Sequence, residues 1–138
     1  MRSMKKIFYI TILSILLISL ATGCGCAKKT KKAEKNVRAN TNENVIKDQK
    51  LEVFTFTNTS LIYEDSTSVL TTVVKNTSNK TEYLKEFKIN VRDKDGNIIV
   101  TLPGYVGDNI EANSSTVITS SYAEDLTKAA SIDYEVVR

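Results

Sequence analysis

Two cysteines, Cys24 and Cys26, are the residues of this 138-residue chain whose types and spacing first suggest a chemistry. They lie directly after an apolar run and directly before a cluster of lysines. The chain has no histidine, which excludes most metal sites and every Ser-His or Cys-His nucleophilic pair. Since no cysteine follows position 26, the rest of the chain must fold without a disulfide. We therefore predict no cofactor and no metal, and we expect Cys24 to be modified rather than catalytic.

A second candidate is the segment "DKDGN", where Asp93, Asp95 and Asn97 place oxygen atoms at alternate positions, as calcium loops do. An EF-hand loop requires a glycine at position six and a glutamate at position twelve. Counted from Asp93, however, Gly96 comes two positions too early and the twelfth residue is Gly104. The Asp-Gly pair instead predicts a hairpin turn that needs a positive φ.

Two pairs of neighbouring acids, Asp93 with Asp95 and Glu124 with Asp125, could in principle serve as an acid–base pair. Solvated turns explain such pairs better in a β-rich chain, so we predict no catalytic residue. The serines and threonines of "TFTNTS" and "TVITSSY" are interpreted as the wet faces of strands. A small secreted enzyme that uses turn carboxylates stays as an alternative.

The N-terminus has the pattern of a secretory signal. "MRSMKK" is a charged start, and the apolar run after it occupies residues 7–21. As a helix, those 15 residues would span roughly 22 Å, at ~1.5 Å per residue. A bilayer core is about 30 Å thick, so the run is short for a permanent span and typical of a signal peptide. An uncleaved membrane anchor and simple secretion are the alternatives.

The residues that end this run, "LATGC", resemble the lipobox of bacterial lipoproteins. Ala21 stands where leucine is most frequent, and Thr22 and Gly23 precede Cys24. The resemblance implies a signal peptide over residues 1–23, cleavage between Gly23 and Cys24, and a diacylglyceryl group on the sulfur of Cys24. Two acyl chains anchor a protein stably where one gives only marginal binding. The resemblance thus implies location at the outer face of the bacterial cytoplasmic membrane, with Cys26 left as an unpaired thiol.

Residues 24–50 are rich in lysine, asparagine and threonine and carry eight basic and three acidic side chains. Such a composition buries too little apolar surface to offset chain entropy, so we predict a disordered basic tether over 24–50. Its lysines at 28, 29, 31, 32 and 35 would either attract anionic headgroups or simply keep the tether solvated.

From residue 51 onward the sequence consists of short β-rich runs separated by turn residues. In residues 87–92 apolar and polar side chains alternate strictly, which places Phe87, Ile89 and Val91 on one face. In the last run Ile132, Tyr134 and Val136 form the inward set. Residues 123–130 are predicted to form a helical turn. The predicted strand runs are 51–56, 60–63, 67–76, 87–93, 98–102, 105–110, 116–122 and 131–137.

Six to eight short strands in 51–138 predict an all-β fold, an immunoglobulin-like antiparallel β-sandwich. "VLTTVVKNTSNKT", "FKINVRDKDGNII" and "IEANSSTVI" resemble the FxLYD-type immunoglobulin-like domains of Gram-positive lipoproteins. Asn76, Ser78, Phe87, Ile89, Asp93 and Gly96 carry the match, while the Leu-Tyr pair of the family is replaced by Asn90 and Val91. The resemblance implies a surface β-sandwich and no particular activity.

The distribution of charged residues limits the classes of molecule that the domain could bind. Residues 51–138 hold eight basic and thirteen acidic side chains, whereas a phosphate-binding face needs clustered Lys and Arg. We therefore predict no nucleic-acid partner. The predicted function is a non-catalytic, lipid-anchored binding module of the cell envelope, monomeric, with a protein or a wall polymer as its partner. A purely structural surface spacer is a further alternative. The sequence identifies no ligand-binding residue.

Overall fold

The structure is a computed structural model that describes residues 36–137. Within that range the chain forms eight strands and one short helix. In chain order they are β1 (Arg38–Ala39), α1 (Glu43–Ile46), β2 (Gln49–Leu51), β3 (Phe54–Glu64), β4 (Thr67–Asn76), β5 (Glu82–Arg92), β6 (Ile98–Ile110), β7 (Ser115–Tyr122) and β8 (Ser131–Val136).

Two antiparallel sheets pack face to face. The first has the order β1-β3-β4-β7, with β2 also pairing with β3, and the second has the order β6-β5-β8. The chain changes sheet after β4, after β6 and after β7, and such crossings are typical of immunoglobulin-like sandwiches. The predicted all-β sandwich of six to eight strands is therefore confirmed.

Strict alternation of side chains builds the core. In β5, Phe87, Ile89 and Val91 are almost fully buried, and in β8 Ile132 and Tyr134 are buried while Val136 is partly buried. Both predicted inward sets are thus correct. Burial of these side chains against the facing sheet is the main source of stability in such a fold.

Three aromatic rings lie at the centre of the core. Phe56 of β3 and Tyr134 of β8 stack with centroids 3.9 Å apart, and Phe87 of β5 meets Phe56 edge-on at 5.0 Å. Burial raises the pKa of the Tyr134 hydroxyl above its ordinary value. These contacts join the two sheets directly.

The first two predicted runs form one strand. β3 continues from Phe54 to Glu64, and its register against β4 shifts between Thr57 and Ser60. Asn58 adopts a φ of 51° there, which is a conformation asparagine tolerates better than most residues. The bulge turns Thr59 inward, where its hydroxyl lies 2.9 Å from that of Thr72 and 3.0 Å from that of Tyr134. The prediction that the serine and threonine side chains of "TFTNTS" lie on a solvent-exposed face is therefore wrong for Thr59.

The runs 98–102 and 105–110 likewise form one strand, β6, which passes through Pro103. Gly104 lies directly beneath the ring of Phe87, and a Cβ atom added there would come 2.3 Å from that ring. The glycine is required by packing and does not end the strand.

The stretch 123–130, predicted to form a helical turn, contains no helix, and a single turn is closed where the Ala129 N–H donates to the Leu126 carbonyl at 3.0 Å. The loop is held instead by the Ser68 hydroxyl, which donates to the Glu124 carbonyl at 2.6 Å and accepts from the Leu126 N–H at 2.9 Å. Leu126 and Ala129 are buried. Tertiary contacts thus replace the helical hydrogen bonds that a stretch this short cannot sustain.

The fold begins earlier than the sequence predicts. Instead of continuing as a tether to residue 50, the segment 38–51 forms β1, α1 and β2 against the sandwich. Val45 of α1 is fully buried in the core cluster, and Asn40 is buried with its amide donating to the Ala129 carbonyl at 2.8 Å. A four-residue helix and strands of two or three residues are too short to show a period. Residues 1–35, with the predicted signal peptide and the start of the tether, lie outside the described residues.

Candidate functional site

The predicted cleavage site between Gly23 and Cys24 and the predicted lipid attachment at Cys24 lie outside the described residues, as does Cys26. Within residues 36–137 we find no helix with the length and apolarity needed to cross a bilayer. The candidate sites with a described geometry therefore all belong to the sandwich.

The "DKDGN" segment is the turn between β5 and β6, as predicted. The Asp93 carboxylate accepts the N–H groups of Asp95 and Asn97, each at 2.9 Å, and the Asn97 side-chain amide at 3.2 Å. These hydrogen bonds lower the pKa of Asp93, and the bonds from Asn97 have the largest effect. Gly96 adopts the positive φ that the turn requires, 83°. Because its oxygens already accept hydrogen bonds within the turn, Asp93 is best explained as a structural residue. No group of metal-ligating side chains occurs between residues 36 and 137.

The second acidic pair does not form a site either. Asp125 accepts from the Thr127 hydroxyl at 2.6 Å and forms an ion pair with Arg38 at 2.9 Å. The hydrogen bonds from Thr127 and the charge of Arg38 lower the pKa of Asp125. A general acid requires a raised pKa, so this carboxylate is poorly suited to that role.

The two long sides of the sandwich differ. On the side formed by β3 and β8, the segment 38–51 covers the gap: α1 contacts both strands. The Gln49 side chain there donates to the Ile132 carbonyl on the outer edge of β8, at 2.8 Å. On the side formed by β6 and β7, no further strand is paired to either edge within the described residues. We call this second side the open side.

Two shallow concavities lie along the open side. One, of about 370 Å³, is lined by residues that include Val106, Asp108, Glu111 and Thr116. The other, of about 380 Å³, lies between Pro103 and Tyr105 of β6 and residues 117–121 of β7. Their linings contain two acidic side chains and no basic one. This surface is therefore mixed in polarity and locally acidic.

Apolar side chains stand exposed at its rim. Tyr105 is 65% exposed and Val117 is 61% exposed. The Tyr105 ring lies over Gly107, which has a φ of 65°, and a Cβ atom added to Gly107 would lie 2.4 Å from the tyrosine oxygen. The glycine thus permits the close approach of the ring. An exposed aromatic ring held in place by its neighbours is typical of a contact surface.

The edges of β6 and β7 differ in the backbone N–H and C=O groups that they present to the open side. The Asn76 N–H donates to the Ser114 carbonyl at 3.0 Å. The backbone N–H and C=O groups of even-numbered residues of β7 therefore point to β4, and those of odd-numbered residues point to the open side. On β6, the Pro103 carbonyl accepts a hydrogen bond from the Ser120 hydroxyl. Pro103 therefore directs its backbone to the open side, where proline has no N–H to offer. Ser120 is buried, a second hydroxyl that the sequence wrongly suggested to be wet.

The sequence predicts an exposed sheet edge or loop cluster as the contact surface of a binding module, but it does not locate the open side. A proline within a β-rich run indicates an edge strand, so Pro103 was the signal that could have located one edge. Nothing local indicates that β7 lies beside it, because the two strands belong to different sheets.

Comparisons with protein-family models, with curated proteins and with solved structures found no match. Any function assigned to the chain therefore rests on its own sequence and geometry.

Proposed function

We propose that this chain is a non-catalytic interaction module, held at the outer face of a bacterial cytoplasmic membrane by a lipid on Cys24, and that it binds an envelope protein through the open side. The observation that carries the proposal is the contrast between the two sides of the sandwich. One side is covered by the segment 38–51, whereas the other exposes Tyr105 and Val117 beside strand edges to which no further strand pairs between residues 36 and 137.

Charge supports a protein partner over nucleic acid. Residues 36–137 carry ten basic and fifteen acidic side chains, and a nucleic-acid surface requires a basic patch. The contacts of the turn carboxylates support structural roles, since Asp93 accepts hydrogen bonds from Asp95 and Asn97 of its own turn and Asp125 is bonded to Thr127 and paired with Arg38.

With the proposed lipid on Cys24, the earlier start of the fold shortens the segment that joins the anchor to the sandwich. Between Cys24 and Arg38 lie 13 residues, and a flexible coil of that length has a root-mean-square reach of about 20 Å. The longer tether ending at residue 50 would have reached about 28 Å on the same basis. A short tether of this kind would favour a partner close to the membrane, such as an extracytoplasmic part of a membrane protein.

The anchor is tested by comparing Cys24→Ala with Cys26→Ala. We expect Cys24→Ala to lose incorporation of a labelled fatty acid and to appear in the medium or as an unprocessed precursor, while Cys26→Ala behaves as the unaltered protein. Label retained in Cys24→Ala would contradict the proposed anchor.

The binding surface is tested with a photo-crosslinking amino acid in intact cells. Placed at Tyr105 it should give discrete protein adducts. Placed at Ile46, which is 40% exposed on the covered side, it should give none above background. Equal adduct patterns from the two positions would contradict the assignment of the open side.

A further inference from the structure

We propose that β7 is a strand-accepting edge, to which an extended basic segment of the partner protein adds as an extra strand. This inference rests on the proposed function and specifies how the open side would bind. Strand addition draws affinity from main-chain hydrogen bonds and specificity from alternate side chains that enter neighbouring pockets.

The outer edge of β7 presents a regular set of backbone groups. Because Asn76 donates to Ser114, the N–H and C=O groups of Ser115, Val117, Thr119 and Ser121 point away from β4. The pairing of β7 with β4 runs without a register shift from Ser115 to Tyr122. Those four residues therefore form a ladder of donors and acceptors at the spacing that a new strand requires.

The edges of the other long strands, β3, β8 and β6, are guarded, and the strands β1 and β2 that cover β3 are only two and three residues long. The outer edge of β3 is occupied by β1 and β2. The edge of β8 receives the Gln49 side chain. The edge of β6 is interrupted by Pro103 and by the positive φ of Gly107. Proteins protect free edges with prolines, charged side chains, bulges or covering segments.

None of those devices occurs on β7. Its sequence, "STVITSSY", contains no proline and no charged residue, and Val117 stands 61% exposed at its middle. An edge of eight residues that is uncharged, regular and uncovered by any other described strand is otherwise a liability for association. Its presence beside three guarded edges is explained if a partner strand occupies it.

The surface around β7 indicates the chemistry of that partner. Side chains of an added strand that point between the sheets would enter the concavity of about 380 Å³ bounded by Pro103 and Tyr105. Asp108 and Glu111 line the neighbouring concavity, and neither lining contains a basic residue. An extended segment with lysine or arginine beside an apolar anchor therefore complements the surface.

A second copy of the chain fits less well. Arg38 pairs with Tyr63 near the end of β3, and Tyr122 at the end of β7 pairs with Ser68 near the start of β4. The chain therefore enters the fold at the end of the sandwich where β7 finishes. Antiparallel pairing of two β7 strands would point the two entry ends in opposite directions. Two lipid anchors in one membrane would then have to serve opposite ends of the pair, a requirement that a strand from a partner protein does not impose.

The test uses full-length protein purified in detergent and, as probe, an immobilised library of random decapeptides. We expect enrichment of peptides that combine lysine or arginine with β-branched or aromatic residues. For the best peptide, we expect slowed amide hydrogen exchange at Val117, Thr119 and Ser121. No enrichment, or enrichment of acidic peptides, would overturn the proposal, as would protection of β7 through self-association without peptide.

Two variants examine the edge directly. Val117→Lys places a lysine at the middle of the edge and should weaken peptide binding at least tenfold, whereas Val37→Lys, at a valine that is 50% exposed, should leave it unchanged. Thr119→Pro removes one outward N–H and should act like Val117→Lys, with the β-sheet circular dichroism retained in both. If both edge variants bind as the unaltered protein does, strand addition is wrong. Absence of the Tyr105 adducts in cells would separately refute the interaction module.

Discussion

Val45 provides the sharpest test of where the domain begins. The sequence places this valine in a tether, whereas the structure buries it completely in the core, on a helix of only four residues. Because this side chain lies in the core, shortening it should lower the free energy of unfolding as much as other core substitutions do. If the tether prediction were right, the same change would cost almost nothing.

The expected magnitude depends on the atoms removed. Val45→Ala takes away two methyl groups, each worth about 0.8 kcal/mol when buried, and leaves a cavity that adds about 24 cal/mol per Å³. We therefore expect a loss of about 2 kcal/mol in the free energy of unfolding. With a urea dependence of about 2 kcal/mol per molar, the midpoint should fall by about 1 M.

The assay is equilibrium urea unfolding followed by circular dichroism. Val37→Ala is the matched control, since Val37 is 50% exposed in the same segment, and it should change stability by less than about 0.5 kcal/mol. Coincident unfolding curves for Val45→Ala and Val37→Ala would refute the assignment of residues 38–51 to the fold.

Two further substitutions test the core between the sheets. Tyr134→Phe keeps the stacked ring and leaves the two threonine hydroxyls bonded to each other at 2.9 Å, so urea unfolding at pH 7 should show a loss of only about 1 kcal/mol. Because burial raises the pKa of Tyr134 above 10.0, its stabilising effect is present below pH 10 and lost as the pH rises through the raised value. Between pH 9 and 11, the free energy of unfolding should therefore fall less in the phenylalanine variant than in the unaltered protein. If it fell equally with pH in both proteins, burial of the hydroxyl would be contradicted. Gly104→Ala places a Cβ atom 2.3 Å from the Phe87 ring and should lower the free energy of unfolding by about 1–3 kcal/mol, which thermal unfolding would detect; an unchanged melting temperature would contradict the close contact.

The strands that could be predicted are those with a regular local pattern. β4 matches the predicted run 67–76 residue for residue, and β5 and β8 bury the side chains that their alternation places on one face. The hairpin at residues 93–97 was also predictable, because an Asp-Gly pair carries its own turn preference. In each case the information is contained within a few consecutive residues.

The elements that were missed depend on contacts between distant residues. Thr59 belongs inside because a bulge turns it toward Tyr134, 75 positions away. Val45 is buried because α1 is covered by strands that come after it in the chain. No local pattern records either contact, so composition favoured a wet threonine and a solvated tether.

The open side, too, depends partly on local sequence and partly on contacts between distant residues. By itself the sequence determined the all-β class, the alternation that fills the core, the acidic character of the sandwich and the lipobox-like motif at Cys24, because each is a property of residue types and their spacing. Only the tertiary structure decided which strand edges are covered and which are free. Whether β7 is free depends on which strands lie beside it in space, and neighbours in different sheets leave no trace in one another's sequence. The open side is thus a consequence of how the sheets assemble.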